Sequence, residues 1–130
     1  MLRRNLLLGV AGVAVLGVTG CATHPVSVQQ ATELSAAQLR TCIKRAAHRR
    51  GWRVVTDEPG KMRIKYVKGP HVLVADVTYD NEGYMIEAVK EGSTLFNKDG
   101  TAHRKVNSWT ANLTVTIREE ENKILLRQTN

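Results

Sequence analysis

The apolar period of this chain changes at Gly51, and that change decides the fold class. From Leu34 to Arg50 the apolar residues Leu39, Cys42, Ile43, Ala46 and Ala47 recur at helical spacing. They form one stripe on a cylinder of 3.6 residues per turn. Ser35 stands at the start, with Gln38 three places on, in the spacing of a capping box. Gly51 stands where a helix C-cap glycine belongs. Arg40, Lys44, Arg45, His48, Arg49 and Arg50 take the remaining faces, the last of them where the helix dipole favours cations.

After Gly51 the period is two. Trp52, Val54 and Thr56 alternate with Arg53 and Val55. Met62, Ile64 and Tyr66 alternate with Arg63, Lys65 and Val67. Leu73, Ala75, Val77 and Tyr79 alternate with Val72, Val74, Asp76 and Thr78. Tyr84, Ile86 and Ala88 alternate with Met85, Glu87 and Val89. Pro59-Gly60 sits at the centre of a type II turn, and Gly69-Pro70 and Asp80-Asn81-Glu82-Gly83 break the other runs. Four short strands joined by tight turns predict an antiparallel meander. One face is apolar and the other mixed, so one side needs a cover.

The last third carries two competing patterns. Val106, Trp109, Leu113 and Ile117 keep helical spacing, but Leu113, Val115 and Ile117 also alternate, amid β-branched Thr110, Thr114 and Thr116. Residues 113–117 thus compete as a fifth strand. Asn107 or Ser108 as a cap favours a helix. So does the run Glu119–Glu121. Ending the helix at Arg118 would set three carboxylates at its negative end. A longer helix pairs Glu119 with Lys123 and brings Ile124 onto the stripe. The expectation is α+β: helix, four-stranded antiparallel meander, helix, with the helices covering one sheet face. The domain spans 34–121, and 122–130 is helix end or C-terminal tail.

The chain has 130 residues, but its first 20 are of another kind. Arg3 and Arg4 precede a 13-residue apolar stretch, Leu6–Val18, interrupted only by glycines, and no acidic residue occurs before Cys21. A bilayer-spanning helix needs about 20 apolar residues. A charged start, a short apolar stretch and small residues beyond it predict a secretory signal peptide over 1–20. Residues 21–33 are small and polar, with Pro25, and read as a flexible tether.

The boundary Val18-Thr19-Gly20-Cys21 resembles a bacterial lipobox, the motif cleaved before a cysteine that receives diacylglycerol. Val18 replaces the more usual leucine. The resemblance implies lipidation at Cys21, with palmitate among the acyl chains, and attachment to the membrane through that lipid anchor. Ala22 is not the aspartate that retains such proteins at the inner membrane. The implied location is therefore the outer membrane, facing the periplasm. Cys42 then remains as the single thiol of the mature chain, unable to form an internal disulfide, and its place on the apolar stripe predicts burial. The pieces Arg50-Gly51-Trp52, Asp76-Val77-Thr78-Tyr79-Asp80 and Trp109-Thr110-Ala111-Asn112-Leu113 are similar to those of small proteobacterial envelope lipoproteins. That resemblance implies the same α+β fold but does not point to an activity.

No catalytic or metal signature is present. There is no G-x-S-x-G, no phosphate-binding loop and no dinucleotide fingerprint. His24, His48, His71 and His103 lie apart in sequence, and none stands at metal-ligand spacing from another His, Cys or carboxylate. The expectation is a non-enzymatic protein without cofactor or metal. Charge offers more. The whole chain carries 19 Lys and Arg against 12 Asp and Glu, and from Cys21 onward 17 against 12. Arg53, Arg63 and Lys65 are expected on the outward face of the first two strands. Lys61 and Lys68 flank them, and Arg49 and Arg50 join from the helix. Together these seven form a candidate patch for anionic lipid, lipopolysaccharide or peptidoglycan. Nucleic acid is excluded as a partner. The leader sends the chain away from it, and no aromatic residues interleave with the cations. The other expected role is a protein-binding or accessory scaffold domain.

Overall fold

The computed structural model describes residues 22–129. Both helices pack on one face of a five-stranded antiparallel sheet. In chain order the elements are β1 (Ala22–Thr23), β2 (Val28–Ala31), α1 (Ala36–Arg49), β3 (Arg53–Glu58), β4 (Lys61–Lys68), β5 (His71–Tyr79), β6 (Gly83–Val89), β7 (Ala102–His103) and α2 (Lys105–Thr129). The sheet order is β2-β6-β5-β4-β3, and β1 pairs separately with β7. The meander expected from the alternation is therefore present, with one strand added at its β6 edge.

α1 forms as its sequence dictates. The Ser35 hydroxyl accepts from the Gln38 amide, and the Gln38 side chain accepts from the Ser35 amide, a complete capping box. Its buried residues are Leu39, Cys42, Ile43, Ala46 and Ala47, the stripe read from the spacing. Gly51, with φ of 85°, turns the chain into β3, a backbone conformation open mainly to glycine.

The added strand corrects the expectation of a flexible tether over 21–33. Val28–Ala31 pairs with Ile86–Gly83, and the Thr32 amide extends the connection to the Glu82 carbonyl. Further back, Ala22 and Thr23 pair with His103 and Ala102. Asn107 ties the segment between them: its carboxamide accepts from the Val26 amide at 2.8 Å and donates to the His24 carbonyl at 3.0 Å. Small polar residues without clear alternation conceal this strand, because it is four residues long and borrows its register from β6.

Residues 113–117 are helical, within the single helix α2. Val115 is 48% exposed while Leu113 and Ile117 are fully buried, the opposite of a shared strand face. The threonines fit because each hydroxyl has an acceptor on the preceding turn. Thr110, Thr114 and Thr116 donate to the carbonyls of Val106, Thr110 and Asn112, the back-bonding that lets β-branched hydroxyls live inside a helix. α2 starts at Lys105 rather than at a cap formed by Asn107 or Ser108, and the Lys105 amide donates to His103 Nδ1 at 3.1 Å. It runs to Thr129, so residues 122–129 are helix and not tail.

The core lies between the helices and the apolar sheet face. Met62, Ile64, Leu73, Ala75, Val77, Tyr79, Tyr84 and Ile86 meet Leu39, Ile43, Ala46, Ala47, Val106, Leu113 and Ile117 in one cluster. An aromatic column closes one end. Trp52 and Tyr66 lie 5.4 Å apart, and Trp109 meets Tyr66 edge-on at 4.8 Å, a favoured geometry for ring quadrupoles.

Candidate functional site

The sheet face opposite the helices carries no helix layer. Strand alternation sends Lys61, Arg63, Lys65 and Val67 of β4 to it, with Val72, Asp76 and Thr78 of β5 and Met85, Glu87 and Val89 of β6, while Val74 on the same side is buried. β3 joins after an irregularity. The register shifts between Val54 and Thr56, so Arg53 and Thr56 face outward opposite Lys65 and Arg63, while Asp57 turns to the helix side opposite Met62. There Asp57 takes a fork of two bonds from Arg40 and an ion pair with Lys44 at 3.4 Å. The Arg40 hydrogen bonds hold the Asp57 carboxyl below its ordinary range. An inward-turned charge and a bulge are the usual protections of a sheet edge, so the free edge of β3 is guarded against strand addition.

The charges on the open face form a transverse ladder of both signs. Arg63 grips Asp76 with Nε at 2.7 Å and Nη2 at 3.0 Å, and Lys61 stands 3.8 Å from the same carboxylate. The Arg63 bonds pull the Asp76 carboxyl below its ordinary range, against the cost of its partial burial. Glu87 faces Asp76 across β6, and the Ser27 hydroxyl donates to Glu87 at 3.3 Å. Glu58 faces Lys61. Arg53 and Lys65 face each other at the β3 edge. At the turn end of the sheet, Gln29, Thr78 and Met85 border a cleft of about 260 Å³ that Gln30, Gly60 and Tyr84 also line.

This arrangement corrects the seven-residue basic patch. Arg53, Lys61, Arg63 and Lys65 share the open face but meet Glu58, Asp76 and Glu87 there. Arg49 belongs to the helix layer, bound to Glu119 and Glu120 at 2.9 Å each. Arg50 also turns to α2, donating from Nε to the Thr116 hydroxyl at 2.8 Å. Lys68 ends β4 opposite His71, out of step with the outward row. What sequence periodicity missed is which partners each cation meets, because those carboxylates come from distant strands and from the other helix.

Cys21 lies outside the described residues. Cys42 is buried at 1% exposure, and burial pushes its thiol up to about 11; a thiol so protonated is a poor nucleophile. His71 and His103, remote in sequence, come within 5.7 Å of each other beside a 220 Å³ hollow lined also by Ala22 and Leu95. Burial, ahead of the nearby Lys105, lowers the His103 pKa. Among the described residues no group of three or more His, Cys, Asp or Glu is placed to hold a metal. No helix of the described residues is long and apolar enough to cross a membrane. Comparison with known proteins finds no matching family model, no matching curated protein and no matching solved structure.

Proposed function

We propose that this chain is a lipid-anchored cell-envelope protein, acylated at Cys21, whose small domain is a non-enzymatic accessory module that binds another envelope protein in the periplasm. One observation carries the reading: the sheet keeps a face without a helix layer, on which Arg63, Lys65, Asp76 and Glu87 alternate with Val67, Thr78 and Met85. A surface of both charge signs with scattered apolar side chains suits a protein surface of complementary pattern. A polyanion instead calls for a field of one sign. The ordered start at Ala22, paired with His103, supports a domain held close to its anchor rather than hung on a long linker.

Two experiments test this. Incorporation of labelled palmitate into the expressed chain is expected, and it disappears in Cys21→Ser. Affinity capture from crosslinked envelopes is expected to retain a partner that is lost in the double variant Thr78→Arg and Met85→Arg, while the circular dichroism of the domain is unchanged. Capture that survives both open-face substitutions moves the partner site off the sheet and refutes the reading.

A further inference from the structure

A second group of cations gathers on the helix layer, and of the expected sheet patch only Arg49 is among them. α1 and α2 run antiparallel: Arg50 meets Thr116, Arg49 meets Glu119 and Glu120, and Gln38 and Thr41 lie beside Arg127 and Gln128. Their outer surfaces enclose a shallow groove in two joined sections. One, of about 480 Å³, is lined by Lys44, Arg45, His48, Arg49, Glu120 and Lys123. The other, of about 350 Å³, shares Arg45 and adds Arg127 and Ile124. Five arginines and lysines line these sections against one lining carboxylate, Glu120. That carboxylate is only 4% exposed and already holds Arg49 at 2.9 Å and Lys123 at 3.1 Å. Arg45 makes no ion pair with a carboxylate among the described residues, and Arg127 turns its Nε to the Lys123 carbonyl at 3.3 Å. Leu126, one helical turn beyond Lys123, is 64% exposed.

We propose that this interhelical groove docks the phosphate headgroups of an anionic phospholipid bilayer, laying the helix layer on the membrane and turning the open sheet face away from it. The occupant follows from the page. Lys44 also pairs with Asp57, and Arg49 with Glu119, outside the lining. Arg45 and Arg127 are left without a carboxylate partner among the described residues, and the lining keeps a net positive charge that suits a surface dense in phosphate. Leu126 beside Lys123 and Arg127 is the pairing of apolar and basic side chains that sits at the headgroup boundary. The structured segment beginning at Ala22 leaves little chain between the domain and the position expected to be acylated. Docking on lipid is separate from recognition by the sheet face. It also explains why the two charge patterns differ: one sign toward lipid, both signs toward protein.

The test uses the full chain reconstituted into vesicles of phosphatidylcholine alone or with added phosphatidylglycerol. An environment-sensitive fluorophore is placed at Leu126→Cys in the acylated chain, Cys42 being buried and the Cys21 sulfur being blocked as a thioether. The fluorophore is expected to be shielded from an aqueous quencher only in the vesicles with phosphatidylglycerol. That shielding disappears at about 1 M salt, where screening shortens to ~3 Å. The triple variant Lys44→Gln, Arg45→Gln, Arg127→Gln leaves the Arg49–Glu120–Lys123 contacts intact and is expected to weaken docking on the order of a hundredfold. The sheet-face pair Arg53→Gln and Lys65→Gln is expected to leave it unchanged. Equal shielding in both vesicle types overturns the proposal, as does equal loss from the groove and sheet variants. Shielding that arises only when other envelope proteins are added also overturns it, in favour of a protein occupant.

Discussion

Replacing Gly83 by alanine is expected to pull β2 away from the sheet. A Cβ at this position would stand 2.2 Å from the Gln30 carbonyl oxygen and 3.1 Å from Ala31 Cα. Both are backbone atoms of the edge strand, so no side-chain rotation relieves the clash. Restoring an ordinary contact requires β2 to retreat by on the order of 1 Å, a distance at which its hydrogen bonds to β6 weaken steeply. The ladder joins Val28, Gln29, Gln30 and Ala31 to Ile86, Met85, Tyr84 and Gly83. At about 1 kcal/mol for each backbone bond, loss of most of it costs about 2–4 kcal/mol. Denaturant unfolding measures that loss, and amide exchange locates it, with protection falling at 28–31 and persisting in β4 and β5. Gly100→Ala is the control. Its Cβ meets open space, and only the φ of 90° opposes it, a penalty of about 1 kcal/mol that leaves β2 protected. A Gly83→Ala chain within about 0.5 kcal/mol of the parent, with unchanged exchange at 28–31, would refute the packing of β2 on β6.

Three further outcomes are expected. Glu121 is 9% exposed and accepts from the Thr32 hydroxyl at 2.6 Å, and burial raises its pKa above the usual carboxylate range. The folded state therefore favours its protonated form, and its contribution to stability is lost as pH rises through that raised pKa. Glu121→Gln is accordingly more stable than the parent at neutral pH, with the gap closing on acidification. Thermal melts across pH check this, and a gap of constant size contradicts it. Cys42 resists a thiol reagent in the native state and reacts only at the rate of unfolding, given its burial and its thiol raised to about 11; fast native-state labelling refutes that placement. Leu113→Ala, in the fully buried core, lowers unfolding free energy by about 2–5 kcal/mol; an effect near zero would show that α2 does not pack there.

The parts of the fold legible in the sequence are those where one element carries its own pattern. The stripe of α1 and its capping box are local, and the stripe of buried residues matches the spacing. The inward residues of β4, β5 and β6 alternate without interruption, so the meander is legible too. β2 is not, because Val28–Ala31 has no period of its own and becomes a strand only beside β6. The shift of β3 between Val54 and Thr56 is equally silent. It moves Thr56 out of the row of Trp52 and Val54 to the open face and turns Asp57 to the helix side, where Arg40 and Lys44 hold it. The charges show the same division. That the chain is basic is plain from counting, but the pairing of Arg63 with Asp76 and of Arg49 with Glu119 and Glu120 depends on contacts between distant segments. Only after those pairs are drawn does the cationic excess move from the sheet to the groove between the helices.

The central claim is that the open sheet face meets a protein while the helix layer meets lipid. Site-resolved photocrosslinking in intact envelopes tests it most directly, with the photoreactive residue placed at Thr78 in one chain and at His48 in another. The expected result is a discrete crosslinked protein from Thr78 and lipid adducts alone from His48. A discrete protein partner at His48, with none at Thr78, would contradict the assignment of the two faces.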